Sequence, residues 1–182
     1  MPALGHIAVG MSAGRWLPVA PPERVRLMAW FAFLSTAPDL DFVLVALGAP
    51  EQSLWGHRGA SHSLLVALVC GLAAALAAPR WGHSRFGSSV MGFGLCASHL
   101  LLDCLNVGSL GVPWLWPLSQ VSYGLPWHPL PALKTAREFL TPRGLPVLAA
   151  ELLIFAPLFL YALLARSRGK AEGTASVWRS AP

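Results

Sequence analysis

Charged residues are scarce in this chain: Asp, Glu, Lys and Arg together make up 12% of its 182 residues. An average soluble domain carries about twice that share. Hydrophobic residues reach 55%, and the mean hydropathy is +0.57. This composition indicates a membrane protein, and the length fits one domain because it is too short for two well-buried cores.

Paired cysteines and a signal sequence are missing as well. Cys70, Cys96 and Cys104 lie in or beside apolar segments without Cys-X-X-Cys spacing, so we expect hydrophobic fillers rather than disulfides or metal ligands. The first twenty residues lack the basic stretch and apolar core of a secretory signal. The basic residues are scattered between apolar segments, so the net charge of +5 predicts membrane topology and no nucleic-acid binding.

Apolar stretches predict an all-α, polytopic membrane bundle with four to five hydrophobic helices. The stretches are residues 4–16, 25–37, 64–78, 86–105 and 145–165. The last three approach the roughly 20 residues that a bilayer requires. The first two are shorter and predict a helical hairpin whose second helix breaks at Pro38.

The remaining segments predict a loop and a tail. Residues 106–144 are rich in proline and tryptophan, which is typical of a loop at the membrane interface. We expect one membrane-embedded domain over residues 1–166 and a disordered polar tail over residues 167–182.

The basic residues predict the orientation of the bundle. If the chain reverses at each loop, nine of them gather at one membrane face: Arg15, Arg24, Arg26, Arg80, Arg85, Arg166, Arg168, Lys170 and Arg179. Four gather at the other face: Arg58, Lys134, Arg137 and Arg143. The positive-inside rule makes the face with nine cytoplasmic, and with it the C-terminal tail.

Histidines and aspartates gather at the opposite, non-cytoplasmic face. They are His6, Asp39, His57, His62, His99 and Asp103. His99 and Asp103 share one face of a helix at a spacing of four, within a stretch that is otherwise apolar. Ionisable groups at membrane depth are costly and are seldom kept without a partner or a function. From His62 to Arg80, and from Arg85 to Asp103, is eighteen residues each, or about 27 Å of helix, close to the hydrocarbon thickness.

Imidazoles and carboxylates without thiolates favour a zinc, manganese or iron site with one or two ions, and argue against a closed structural zinc site. His99 and Asp103 alone are equally consistent with a hydrogen-bonded pair that ties two helices together. Their common depth with Asp39, His57 and His62 favours the metal. Asp39 is preferred to Asp41 as a ligand because it directly follows the helix break, whereas Asp41 can also cap a helix or face water.

Three further residues are candidates for catalysis: Asp41, Arg58 and His62. Arg58 lies between two candidate ligands and suits bidentate binding of a phosphate, although an interfacial arginine can also snorkel to lipid head groups. A carboxylate such as Asp41 that is not needed as a ligand can act as general base or orient a ligating imidazole.

The chain resembles the YdjM-like family of predicted inner-membrane, metal-dependent hydrolases of bacteria. The matching pieces are Gly5-His6-Ile7, Ala37-Pro38-Asp39-Leu40-Asp41-Phe42, His57-Arg58-Gly59-Ala60-Ser61-His62-Ser63, His99-Leu100-Leu101-Leu102-Asp103 and Trp116-Pro117-Leu118-Ser119. The pieces occur in the expected order between residues 5 and 119. The resemblance implies a multi-pass protein of the bacterial inner membrane.

That family is similar in turn to zinc-dependent phospholipase C and the P1-type nucleases. This similarity implies metal-ligand roles for His6, Asp39, His57, His99 and Asp103. The chain departs from the phospholipase pattern after Asp103, where no pair of histidines is followed by a glutamate at helical spacing. One or two metal ions are therefore expected rather than three.

Together, these patterns predict a membrane-bound metal-dependent hydrolase that cleaves a phosphoester in a lipid or lipid-linked substrate with metal-activated water. The alternative is a non-enzymatic membrane protein whose cluster is a structural metal site or a relay for metal or protons. Transport is the weaker form of that alternative, because residues 64–78 offer no polar path and the last span offers only Glu151.

Overall fold

A computed structural model describes residues 3–51, 53–107, 109, 111–131, 133, 138, 141–142 and 144–165. These residues fold into helices, and the β-pairing among them is limited to two isolated bridges. The helices are α1 (Ala3–Trp16), α2 (Pro21–Thr36), α3 (Asp41–Ala46), α4 (Leu64–Ala77), α5 (Arg85–Cys104) and α6 (Gly144–Leu164), with 3-10 turns at Ala37–Leu40 and Ala78–Trp81. The predicted all-α membrane bundle is confirmed.

Within the described part of the chain, three continuous segments are long and apolar enough to cross a membrane: Pro21–Ala46, Leu64–Trp81 and Gly144–Leu164. The prediction of four to five hydrophobic helices is slightly more than this. Helix α1 has only 14 residues. Helix α5 has 20 residues, but its glycines and serines and the His99/Asp103 pair make it less apolar than α4 and α6.

The described arginines lie where the topology prediction put them along the helices. Arg15 lies in the last turn of α1, Arg24 and Arg26 lie near the start of α2, and Arg80 and Arg85 flank the turn between α4 and α5. The predicted tail over residues 167–182 lies outside the described residues. So do the basic residues Lys134, Arg137, Arg143, Arg166, Arg168, Lys170 and Arg179. The direction of the bundle in the membrane stays a prediction.

Glycines let the helices approach closely. A Cβ atom at Gly10 of α1 would lie 2.5 Å from the Phe31 carbonyl oxygen of α2, so the predicted hairpin of α1 and α2 has direct backbone contact. A Cβ atom at Gly92 of α5 would lie 2.7 Å from the Cys70 carbonyl oxygen of α4. Small residues at such crossings are characteristic of membrane helices, where close van der Waals packing drives association.

The apolar core lies between α2, α4 and α5. Leu27, Phe31 and Leu34 of α2 pack there against Cys70 and Leu95 and their small neighbours on α4 and α5. All three cysteines are buried and free, which confirms the prediction that they are fillers.

Two breaks in the helices place polar residues inside this bundle. Pro38 follows α2, and the chain continues as the 3-10 turn Ala37–Leu40 that carries Asp39 before α3 begins at Asp41. Ser63 caps α4 by accepting a hydrogen bond from the Val66 amide, as a serine before an apolar run predicts.

Helix α6 packs on α1, where the buried Glu151 carboxylate accepts a hydrogen bond from the Leu4 amide at 3.1 Å.

The two glycines of α5 provide a matched test of this packing. A leucine at Gly92 must displace Ala74 and Cys70, whereas a Cβ atom at Gly94 meets nothing within 4 Å. We expect Gly92→Leu to lower the free energy of unfolding in detergent by about 1–3 kcal/mol, the usual cost of overpacking. Gly94→Leu should leave it unchanged or raise it. Equal stability of the two variants in equilibrium unfolding would contradict the close α4–α5 contact.

Candidate metal centre

Four side chains from three segments meet at one buried point, here called the metal centre. Asp39 comes from the 3-10 turn after α2, His62 from the loop before α4, and His99 and Asp103 from α5. His62, His99 and Asp103 are completely buried, and the side chain of Asp39 is 11% exposed. The sequence-predicted convergence of these segments is therefore present in the fold.

The distances between the four ligand atoms match those of a coordination shell. His62 Nε2 lies 3.2 Å from His99 Nε2, 3.3 Å from Asp103 Oδ2 and 3.6 Å from Asp39 Oδ1. His99 Nε2 lies 3.5 Å from Asp39 Oδ1 and 4.0 Å from Asp103 Oδ2. Tetrahedral zinc with bonds near 2.1 Å separates its ligand atoms by roughly 3.4 Å. The donor set therefore fits a metal ion.

The hydrogen bonds around the two inner histidines fix their tautomers. Nδ1 of His99 donates to the Ser35 carbonyl oxygen at 2.8 Å, since a carbonyl can only accept. Nδ1 of His62 donates to the Ser61 hydroxyl oxygen at 2.9 Å, because that hydroxyl donates its own proton to Asp41 Oδ2 at 2.7 Å. Neutral His62 and His99 thus direct their Nε2 lone pairs toward each other and toward two carboxylates. Asp39 Oδ1 is buried there without a hydrogen-bond partner. Such an arrangement calls for a cation at its centre.

A proton can take the place of that cation. Burial lowers the pKa of His62, but the nearby carboxylates of Asp103, Asp39 and Asp41 outweigh burial and set its pKa well above the usual value for histidine. Because the same nitrogen would ligate the metal, metal binding has to release this proton.

Asp41 lies directly behind the metal centre and holds its loop in place. Its Oδ1 lies 3.2 Å from His57 Nδ1, and its Oδ2 accepts hydrogen bonds from the Arg58 amide at 3.1 Å and the Ser61 hydroxyl at 2.7 Å. The same Oδ2 lies 3.1 Å from His62 Nδ1. The side chain is buried, so it does not face water. Of the two roles considered for Asp41, this geometry fits the carboxylate that orients a ligating imidazole.

His57 borders the metal centre. Its Nδ1 lies 3.9 Å from Asp39 Oδ1, farther than from Asp41, and its ring stacks on Phe42 at 4.1 Å. With Asp41 and His62 it forms a second group whose ligand atoms are close enough to hold a metal ion. The four-residue group includes His62, a predicted catalytic residue, and leaves out His57, a predicted ligand. Both predicted roles stay predictions.

His6 reaches the site although α1 is short. It is completely buried, its ring stacks on His99 with centroids 3.6 Å apart, and its Nε2 lies 3.6 Å from Asp103 Oδ1. Neither ring nitrogen has a hydrogen-bond partner among the described residues. His6 is thus next to the metal centre, outside the four-residue group.

Arg58 is directed into the site and not toward lipid head groups. Its backbone has φ of 64°, a left-handed conformation that is uncommon for a residue other than glycine. Its Nε donates to Asp103 Oδ2 at 3.0 Å and its Nη1 donates to Ser109 Oγ at 3.1 Å. The side chain remains 20% exposed.

Sequence reasoning did not find three partners of the site: Ser35, Asn106 and Ser109. Asn106 donates to Asp103 Oδ1 at 3.0 Å, three residues along the chain, a spacing that a search around each candidate ligand would have included. Ser35 contributes only its carbonyl oxygen, which no side-chain pattern indicates. Glu151 contacts the start of α1.

A helical membrane protein with a buried cluster of histidines and aspartates is the class that this fold and site define. Residues 1–171 match the YdjM inner membrane protein family, and the chain belongs to that family. It is 33% identical over 152 residues to inner membrane protein YbcI of Escherichia coli (strain K12), covering 81% of this chain and 86% of that protein. No solved structure matches the chain. Its place as a multi-pass protein of the inner membrane follows from the family and the three spans. The similarity to phospholipase C and P1 nucleases stays a prediction.

Loss of one inner histidine should empty the metal centre. We expect His62→Ala to lose bound metal, because it removes one of four ligand atoms and leaves buried carboxylates uncompensated. His83→Ala, in the turn before α5, is the matched control and should keep the wild-type metal content. Elemental mass spectrometry on detergent-purified proteins measures both. Equal metal content in the two variants would contradict the assignment.

Removing the charge of Asp41 should weaken metal binding without abolishing it. Asp41→Asn keeps the volume but loses the carboxylate that fixes the tautomer of His62, so we expect metal affinity to fall about 10–100-fold. Glu51→Gln changes an exposed carboxylate in the nearby loop and should have no effect. Competition with a chelator of known affinity gives both values. Complete loss of metal in Asp41→Asn would make Asp41 a ligand.

Proposed function

We propose that this chain is a membrane-bound metal-dependent hydrolase that cleaves a phosphoester in a lipid or lipid-linked substrate. The observation that carries the proposal is the meeting of two imidazole nitrogens and two carboxylate oxygens at one buried point, where the Arg58 guanidinium is bonded to Asp103. The Asp39 side chain is 11% exposed, so the metal centre is accessible next to this residue. A substrate can approach from that side.

The donor set limits the metal. Two nitrogens and two oxygens suit zinc, manganese or iron. Cysteine does not contribute, because Cys104 lies against the Tyr123 carbonyl oxygen and the other two cysteines lie in the α4–α5 core. When bound, such an ion supplies an acidified water and polarises a phosphoryl oxygen.

Arg58 is suited to hold the phosphate. A guanidinium has five N–H donors in a planar fork that matches phosphate oxygens. Among the described residues, Nε and Nη1 bond Asp103 and Ser109, and the exposed part of the side chain leaves donors for a ligand. The left-handed backbone of Arg58, held by Asp41, aims this fork at the metal centre.

His57 is suited to accept the proton that water gives up. Asp41 holds its Nδ1, which leaves Nε2 as the basic nitrogen, and the side chain is 12% exposed. Asp41 itself accepts hydrogen bonds from the loop on both oxygens, so it serves better as the group that positions His57 and His62 than as a base.

A structural metal site is the second candidate function. It is favoured by the complete burial of His62, His99 and Asp103 and by the ion pair between Arg58 and Asp103. Both features are expected of a structural metal site, which has no position open to substrate. In that case metal removal should lower the melting temperature strongly while no metal-loaded form shows turnover.

An assay of released phosphate, for phosphatidic acid, and of released head groups, for the other phospholipids, tests the hydrolase directly. Wild-type protein loaded with zinc, manganese or iron is incubated with phosphatidic acid and with phospholipids in mixed micelles. We expect turnover that falls about 10²-fold in Arg58→Lys, because the bidentate fork is lost. Arg80→Lys, at the opposite end of the bundle, should keep full activity. Absence of turnover with every metal, together with a metal-dependent melting temperature, would replace the hydrolase by the structural site.

A further inference from the structure

An open cavity of about 270 Å³ lies beside the metal centre, between the 3-10 turn and α3 on one side and α4 on the other. Apolar side chains form most of its wall: Leu40, Leu44, Leu54, Trp55, Val66 and Trp116. Asp41 and Ser61 are its polar lining residues. The Ser61 hydroxyl lies 2.9 Å from Nδ1 of His62, so the polar end of the cavity is one side chain away from the metal centre.

The cavity opens toward the bilayer. Leu40 and Leu44 belong to the span Pro21–Ala46 and are 53% and 41% exposed, so they are in contact with lipid. Trp55 is 60% exposed and packs edge-on against Trp116 at 6.4 Å. Tryptophans of this kind are typical of the membrane interface, where a ring has an apolar and a wet side.

We propose that this cavity holds the first part of an acyl chain of a membrane phospholipid whose phosphate lies at Arg58 and the metal centre. The inference rests on the proposed function and names its substrate class. The lining supports this occupant: an apolar wall faces the chain, and at the polar end Ser61 contacts His62 of the metal centre. Asp41, the other polar lining residue, accepts a hydrogen bond from the Arg58 amide, so the phosphate-binding arginine begins beside this end.

The size of the cavity fits a chain segment. Sites that enclose a whole small molecule measure roughly 300–1,000 Å³, and this cavity is smaller. The rest of the chain then lies along the exposed aliphatic side chains of α3 and α4, including Val43 and Leu65, as other bilayer lipids do. A lipid that enters sideways keeps its chains in an apolar environment throughout, whereas a water-soluble phosphoester would leave the cavity unfilled.

Filling the cavity tests the proposal. Val66→Trp and Leu44→Trp both place a large ring in its wall, and Leu68→Trp adds the same ring to the lipid-exposed side of α4 outside the cavity. The measurement is the affinity of each metal-loaded protein for phosphatidic acid with a fluorescent acyl chain in detergent. We expect about tenfold weaker binding in both cavity variants. Adding or removing a few carbon atoms in a hydrophobic site changes binding affinity by about this factor. Metal content should stay at the wild-type level, which shows that the variants are folded.

The outcomes separate this inference from the proposed function. Equal affinity in wild type and both cavity variants overturns the chain site, whatever the hydrolysis assay gives. Weaker binding in the cavity variants without turnover in any metal-loaded form supports the chain site and rejects the hydrolase. If Val66→Trp leaves lipid affinity unchanged but alters the molar mass in solution, the cavity contacts a second copy of the chain, and the proposal is wrong.

Discussion

Two histidine nitrogens and two carboxylate oxygens lie within 4.8 Å of one another inside this bundle, and when both histidines are neutral only lone pairs meet there. Charges of one sign in an apolar surrounding repel strongly at this separation. A bound cation replaces this electrostatic repulsion by attraction to each of the four atoms. The surrounding structure is then understood as a frame that holds the four atoms in place: the Ser35 carbonyl fixes His99, Asp41 fixes His62, and Asn106 and Arg58 fix Asp103.

The fold supplies this frame by close packing and by interruption. Glycines at Gly10 and Gly92 let α1 meet α2, and α5 meet α4, at backbone distance. This brings His6 and the His99/Asp103 pair toward α2. The interruptions at Pro38 and in the loop before α4 free the chain from helical geometry where Asp39, His57 and His62 are needed. Such irregular backbone at membrane depth is tolerated when protein surrounds it and satisfies its polar groups.

The sequence predicted the helices well and the inner shell of the site less well. Long apolar runs bounded by proline, serine and arginine leave little freedom, so α1, α2, α4, α5 and α6 agree with the predicted ranges to within a few residues. His99 and Asp103 could be paired because helical spacing decides which side chains share a face. The loop of residues 47–63 has no such period, and only the fold decides that His62 points inward while His57 lies at the edge. For Asp39 the helix break at Pro38 did indicate a place in the site, and the fold puts Asp39 in the four-residue group and Asp41 behind it.

X-ray absorption at the metal edge of the purified protein reports the atoms bound to the metal, so it tests whether His62, His99 and the two carboxylates hold the ion. We expect a first shell of nitrogen and oxygen near 2.0–2.1 Å, with the outer-shell scattering of two imidazole rings and no sulfur near 2.3 Å. Scattering from sulfur, or an oxygen shell without imidazole, would show that His62 and His99 do not hold the metal and would contradict the site.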